Sequence, residues 1–156
     1  MPETMVDRLL SAAETLLAER PKSSAFRRRA VSTAYYAVFH SLARICVGNL
    51  APGLSRGSEE YLRVYRALDH GPIKTVFNQS PLKENPNLRR IGSVVARLQS
   101  ERLRADYLPP DPMLFSFSEA KDLVEQVRQI ITDLGALQVQ DRRLLAICLL
   151  FKTRRD

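Results

Sequence analysis

Apolar positions along this chain recur at three- and four-residue steps, the period of a helix buried on one side. Val6, Leu9, Leu10, Ala13 and Leu17 form the first stripe. They predict a helix from about Thr4 to Glu19, with Thr4 and Asp7 at capping-box spacing and Pro21 beyond its end. A second stripe, Phe26, Ala30, Val31, Ala34, Tyr35, Val38, Phe39, Leu42 and Cys46, predicts the longest element, from Ser23 or Ser24 to about Asn49. At ~1.5 Å per residue it would span roughly 36 Å. Ser58 opens a shorter helix that ends at Asp69-His70-Gly71-Pro72, because Gly followed by Pro reads as a stop. A turn or two of helix follows around Ile73 to Asn78, then a polar loop from Ser80 to Asn87.

Asn85-Pro86 supplies a cap and a first-turn proline for the next helix, which ends at about Asp106. Leu108-Pro109-Pro110-Asp111-Pro112 is incompatible with helix. Ser116 and Glu119 then form a capping-box pair, with Phe115 placed to staple against Ala120. The stripe behind them is Leu123, Val124, Val127, Ile130, Ile131 and Leu134. A short basic helix from about Asp141 to Lys152 is apolar nearly all round and must bury itself, as a cap on the bundle or against another subunit. No segment alternates at period two. The expectation is an all-α, up-and-down bundle of four to five helices with a short C-terminal helix, in one domain spanning 1–156.

One polar residue interrupts an apolar stripe. Leu88, Ile91, Val95 and Leu98 repeat along one face, and the next position on that face is Arg102. An arginine aimed toward a core costs several kcal/mol, to order of magnitude, unless it is paired. Asp106 lies one turn on, at the spacing where the two side chains meet. Either a functional site or a structural salt bridge accounts for the pair.

Composition narrows the classes. With 156 residues and 45% hydrophobic content the chain has enough material for a core. The longest apolar run is short and no signal-peptide pattern is seen, so a soluble cytoplasmic protein without a membrane segment is expected. Cys46 and Cys148 have no metal-ligand spacing and read as two buried, reduced thiols. No metal or cofactor is implied, and Gly-rich phosphate loops are absent. The formal net charge is +7, which favours a polyanion such as RNA, DNA or a nucleotide. The basic residues fall into clusters: Arg27-Arg28-Arg29, Arg89-Arg90, Arg142-Arg143 and Lys152-Thr153-Arg154-Arg155. Consecutive arginines on a helix span most of its circumference, so Arg27, Arg28 and Arg29 cannot serve one surface. Each cluster is read first as a solvated face.

Two stretches carry a family resemblance. One is Arg29-Ala30-Val31-Ser32-Thr33-Ala34-Tyr35-Tyr36-Ala37-Val38-Phe39-His40; the other is Arg102-Leu103-Arg104-Ala105-Asp106-Tyr107. Together they resemble the HEPN superfamily, in the branch with a Tyr-Tyr-Ala-x-Phe-His helix and an Arg-x-x-Ala-Asp-Tyr ending. The resemblance implies a helical bundle, commonly a homodimer and often partnered by a minimal nucleotidyltransferase. It also implies a toxin–antitoxin, defence or RNA-processing setting. Many members are metal-independent ribonucleases; others bind nucleic acid, nucleotide or a partner protein without catalysis. The nucleases carry an arginine, four to six residues and then a histidine at the end of the equivalent helix. Here Arg102 matches the arginine, while Tyr107 stands where the histidine would be. Tyrosine, with a pKa near 10, is a poor general base at neutral pH.

The expectation is therefore a non-catalytic or weakly catalytic bundle that binds RNA, nucleotide or a partner protein. Arg102, Asp106 and Tyr107 would line its cleft with His40 adjacent, and Arg104 and Tyr36 would assist binding. The alternatives are a ribonuclease using Arg102 with His40 or, less favourably, His70, and a structural dimeric adaptor in which Arg102–Asp106 is a scaffold pair. Arg63 and His70 also have the nuclease spacing, but His70 at the end of its predicted helix reads as a C-terminal cap.

Overall fold

The computed structural model describes residues 2–153, and among these every regular element is a helix. The helices are α1 (Met5–Glu19), α2 (Ser24–Leu50), α3 (Glu59–Arg66), α4 (His70–Phe77), α5 (Pro86–Tyr107), α6 (Phe117–Ala136) and α7 (Val139–Leu150), with a 3₁₀ turn at Leu82–Glu84. Local chemistry sets their ends. Thr4 and Asp7 form the reciprocal capping box of α1. The side chains of Ser23, Ser58, Asn85 and Ser116 accept the backbone N–H three residues on, at the starts of α2, α3, α5 and α6.

α2 is the axis of the bundle. It packs against α1, α3, α5, α6 and α7, and small residues at Ala30, Ala34, Ala37 and Ala43, all fully covered, let those neighbours approach. Around it lie Leu10 and Leu17 of α1, Leu88, Ile91 and Val95 of α5, Val127 and Ile130 of α6, and Leu145 of α7, all buried. The long helices α1, α2, α5 and α6 build the bundle, α7 closes one side, and the short α3 and α4 line another. Two exposed ion pairs, Arg128–Glu14 and Arg90–Asp133, tie α6 to α1 and α5.

Several expectations are corrected. The helix opened by Ser58 stops at Arg66, and His70 begins α4 rather than capping its predecessor. Gly71-Pro72 is no stop. Pro72 occupies the first turn of α4, where its missing N–H would have had no intrahelical partner. The 3₁₀ turn falls inside the predicted polar loop. α7 buries Leu145, Ala146 and Leu149 but leaves Ile147 and Phe151 exposed, so it is covered on one face only. Cys46 is buried but Cys148 is half-covered; both are free.

Arg27 and Arg28 are not a solvated face either. Arg27 is only 7% exposed, and donates to the carbonyls of Phe115 (2.6 Å), Pro21 (3.1 Å) and Pro112 (3.0 Å). Arg28 donates to the carbonyls of Ala105 (2.7 Å), Pro109 (3.0 Å) and Leu108, capping the unpaired C-terminal end of α5. The proline-rich segment after α5 cannot satisfy its own carbonyls with a helix or sheet, and two arginines from the start of α2 do so instead. Phe115 takes a left-handed backbone at φ 56° with its ring buried, just before the Ser116 cap.

Candidate nucleic-acid interface

Three helices converge on one polar and aromatic cluster. α2 contributes Tyr35, Tyr36 and Phe39, α4 contributes His70 from its first position, and α5 contributes Gln99, Arg102 and Asp106, which helical spacing places on one face. The Arg102 side chain is 8% exposed, and its Nη1 lies 3.6 Å from a carboxylate oxygen of Asp106. That is an ion pair at long range rather than a tight hydrogen bond. The guanidinium carbon sits 5.1 Å from the Tyr35 ring centre and 5.7 Å from that of Tyr36, within cation–π range of both. Its Nε is buried with no hydrogen-bond partner, as is Oε1 of Gln99 one turn earlier. Such orphaned groups are costly in a packed interior and occur where a structure does more than pack.

His70 is the second polar member. Its ring stacks on Phe39 at 3.8 Å between centres, Gln99 donates to its backbone carbonyl, and its Nδ1 lies 3.0 Å from the Tyr35 hydroxyl. Burial pushes the Tyr35 phenol up to about 12, only partly offset by Arg102. The phenol therefore stays protonated and donates to Nδ1. Burial, reinforced by the Arg102 charge, holds the His70 imidazole below its ordinary range, with Asp69 opposing in part. The neutral ring with Nδ1 accepting carries its proton on Nε2. His70 thus presents a hydrogen-bond donor, and its basic lone pair is already used by Tyr35.

His40 lies one turn past Tyr36 but makes a separate contact. Its Nδ1 hydrogen-bonds the hydroxyl of Tyr65 from α3, and burial lowers its pKa while raising that of Tyr65. The same reasoning makes His40 a donor through Nε2. Of the two histidines, His70 and not His40 shares the cluster with Arg102. Tyr107, expected to line the cleft, is 73% exposed and stays out of the cluster. Arg104 pairs with Glu101 at 2.7 Å and lies over the Phe115 ring, so it braces the loop. Tyr36 is half-buried over Arg102, edge-on to His70. Sequence reasoning missed Gln99 and Tyr65. Tyr61 and Tyr65 at an i,i+4 step were the available signal for an aromatic face on α3.

Among the described residues no group of three or more His, Cys, Asp or Glu side chains could hold a metal ion. No helix there is long and apolar enough to cross a membrane. The arrangement offers one cation, Arg102, and the N–H donor of His70, the complement of a phosphate, with aromatic faces beside them. Comparison of the chain with protein-family models, curated proteins and solved structures gave no match.

Proposed function

We propose that this protein is a HEPN-like bundle that binds single-stranded RNA or a nucleotide through its phosphate, without efficient cleavage, at the α2–α4–α5 face. The observation that carries the reading is the pairing of a buried, under-partnered guanidinium at Arg102 with a neutral His70 fixed as a donor. Arg102 supplies charge and His70 Nε2–H a hydrogen bond, and Tyr36 and Phe39 supply aromatic surface for the sugar and base. Cleavage without a metal needs a base for the 2′-hydroxyl. Both histidines have Nδ1 occupied by a tyrosine hydroxyl, and Tyr107 stands outside the cluster, so the arrangement supports binding over catalysis.

The test is incubation of the pure protein with labelled single-stranded RNA at low salt without metal, alongside Arg102→Ala and His70→Gln. A salt-sensitive shift with intact RNA, lost in Arg102→Ala, is expected. The logarithm of affinity should fall with that of salt by about 0.7 per neutralised phosphate. Cleavage by wild type that disappears in Arg102→Ala would replace this reading with the ribonuclease one. No interaction with RNA or nucleotide, together with a lower melting temperature for Arg102→Ala, would leave the scaffold role. The HEPN-like reading also carries a homodimer, for which exposed Leu103, Tyr107, Leu108 and Met113 at the end of α5 offer an apolar face. A toxin–antitoxin or defence setting with a nucleotidyltransferase partner belongs to the same proposal.

A further inference from the structure

The Arg102–His70 cluster is one end of a longer aromatic run. From His70 the rings continue through Phe39 (3.8 Å), His40 (5.7 Å), Tyr65 (5.8 Å) and Tyr61 (5.9 Å), each distance measured to the preceding ring centre. These five rings come from α2, α3 and α4, and every one is half-buried, with part of its surface reaching solvent. At the far end the run enters an open groove of about 260 Å³ whose walls include His40, Arg44, Arg56, Tyr61 and Tyr65, with Met5 beside them. Tyr61 and Tyr65 lie with their rings 25° apart, nearly parallel. Arg44 and Arg56 are exposed, and neither is among the ion-paired arginines. No carboxylate lines the groove. Asp7, whose carboxylate feels the Arg44 charge, is already committed to the Thr4 cap.

We propose that this groove is a second nucleotide subsite, in which Tyr61 and Tyr65 stack a base and Arg44 and Arg56 hold its phosphate, so that a single strand runs along the ring ladder from Arg102 to Tyr61. Parallel tyrosines flanked by cations that make no ion pair among the described residues are the chemistry of sequence-tolerant single-strand binding: every base has a face to stack, and every nucleotide a phosphate to neutralise. His40, between the two ends, offers an Nε2–H donor along the way. The inference rests on the proposed function for its near end, while the groove stands on its own residues.

The test is fluorescence anisotropy of labelled adenine ribo-oligomers two and eight residues long, plus adenosine monophosphate as competitor. The proteins are wild type, Arg102→Ala, Tyr61→Ala and Arg56→Ala. Arg56 lies in an exposed loop, so its variant keeps the fold even where Tyr61→Ala does not. The expected result is an octamer affinity about tenfold lower in Tyr61→Ala and severalfold lower in Arg56→Ala, with the dimer's affinity unchanged. Octamer binding lost in Arg102→Ala but untouched in both groove variants would overturn the second subsite and leave the proposed function standing. Loss in the groove variants with Arg102→Ala unaffected would do the reverse. In that case competition by the monophosphate would mark the groove as a site for a free nucleotide, and its failure would mark it as a strand site. Equal binding by all four proteins, or by none, would overturn the subsite.

Discussion

Gly92→Ala tests how the position of His70 is held. Gly92 lies inside α5 where α4 crosses it, and both Gly92 and Phe77 are buried. A Cβ built at Gly92 would lie 2.5 Å from Phe77 Cδ1 and 2.7 Å from its Cβ and Cγ. Because the Phe77 Cβ is among the atoms struck, rotating the ring does not relieve the clash; α4 must move by the better part of an ångström. Overpacking of this kind costs ~1–3 kcal/mol. Replacing Gly by Ala within a helix returns about 1 kcal/mol of backbone preference. A clash that reaches the Phe77 Cβ belongs in the upper part of that range, about 2–3 kcal/mol, so the net expectation is a loss of about 1–2 kcal/mol, and at 2–4 °C per kcal/mol for a chain of this size the melting temperature drops by ~2–8 °C. Phe77→Ala removes two of the three struck atoms, Cγ and Cδ1. The double variant should be less destabilised than the sum of the singles by about 1 kcal/mol. Urea and thermal melts of the four proteins read the cycle, and RNA binding reads the displacement of α4. A Gly92→Ala protein that melts at or above the wild-type temperature would refute the reasoning, because it would show that helix propensity outweighs the contact.

Other predictions follow from the same geometry. Arg27→Met leaves three carbonyls without their donor and should cost about 3 kcal/mol or more, with new protease cleavage between Leu108 and Phe115 in the folded protein; unchanged proteolysis would contradict the clamp. Burial holds His40 and His70 below their ordinary 6.5. The unfolded chain therefore binds these protons first as pH falls, and stability present above pH 6.5 is lost below it, down through the folded values. His70→Gln should flatten that slope in melts between pH 7 and 5, and an imidazole that titrates at or above 6.5 by NMR would contradict the assignment. Burial pushes Cys46 up to about 12 and raises Cys148. A thiol reagent at pH 8 should therefore label Cys148 slowly and Cys46 only after denaturation.

The helical fold was legible because it rests on periodicity, and the caps at Thr4, Ser58, Asn85 and Ser116 act within three residues of themselves. The buried pairing of Arg102 with Asp106 was legible for the same reason, being one turn of one helix. What stayed hidden depends on contacts distant in sequence. The join of α3 to α4 was misplaced because Gly-Pro serves as a stop or as a first turn depending on whether the next segment packs, and α4 packs on α5. Arg27 and Arg28 looked like surface charge because their partners are carbonyls some eighty residues away. His70 joined Arg102 only once α4 was packed against α5, and nothing in the local spacing of either residue announces it. The left-handed Phe115 is a non-glycine exception that a buried ring and the Arg27 hydrogen bond to its own carbonyl hold in place.

The arginine clamp on the segment after α5 has a consequence at long range. Its acceptors are carbonyl dipoles, which satisfy the guanidinium hydrogen bonds without cancelling their charge. Had the sequence closed this loop with aspartates or glutamates, the same mechanical result would have brought the formal charge of +7 down. As built, Arg27 and Arg28 hold the backbone and still contribute to the positive potential around the end of α5. That potential reaches about one Debye length, roughly 8 Å at physiological ionic strength, and would accelerate the encounter with any anionic partner before contact forms. Association with such a partner should therefore quicken as salt is lowered, even though both guanidiniums are already engaged by backbone carbonyls.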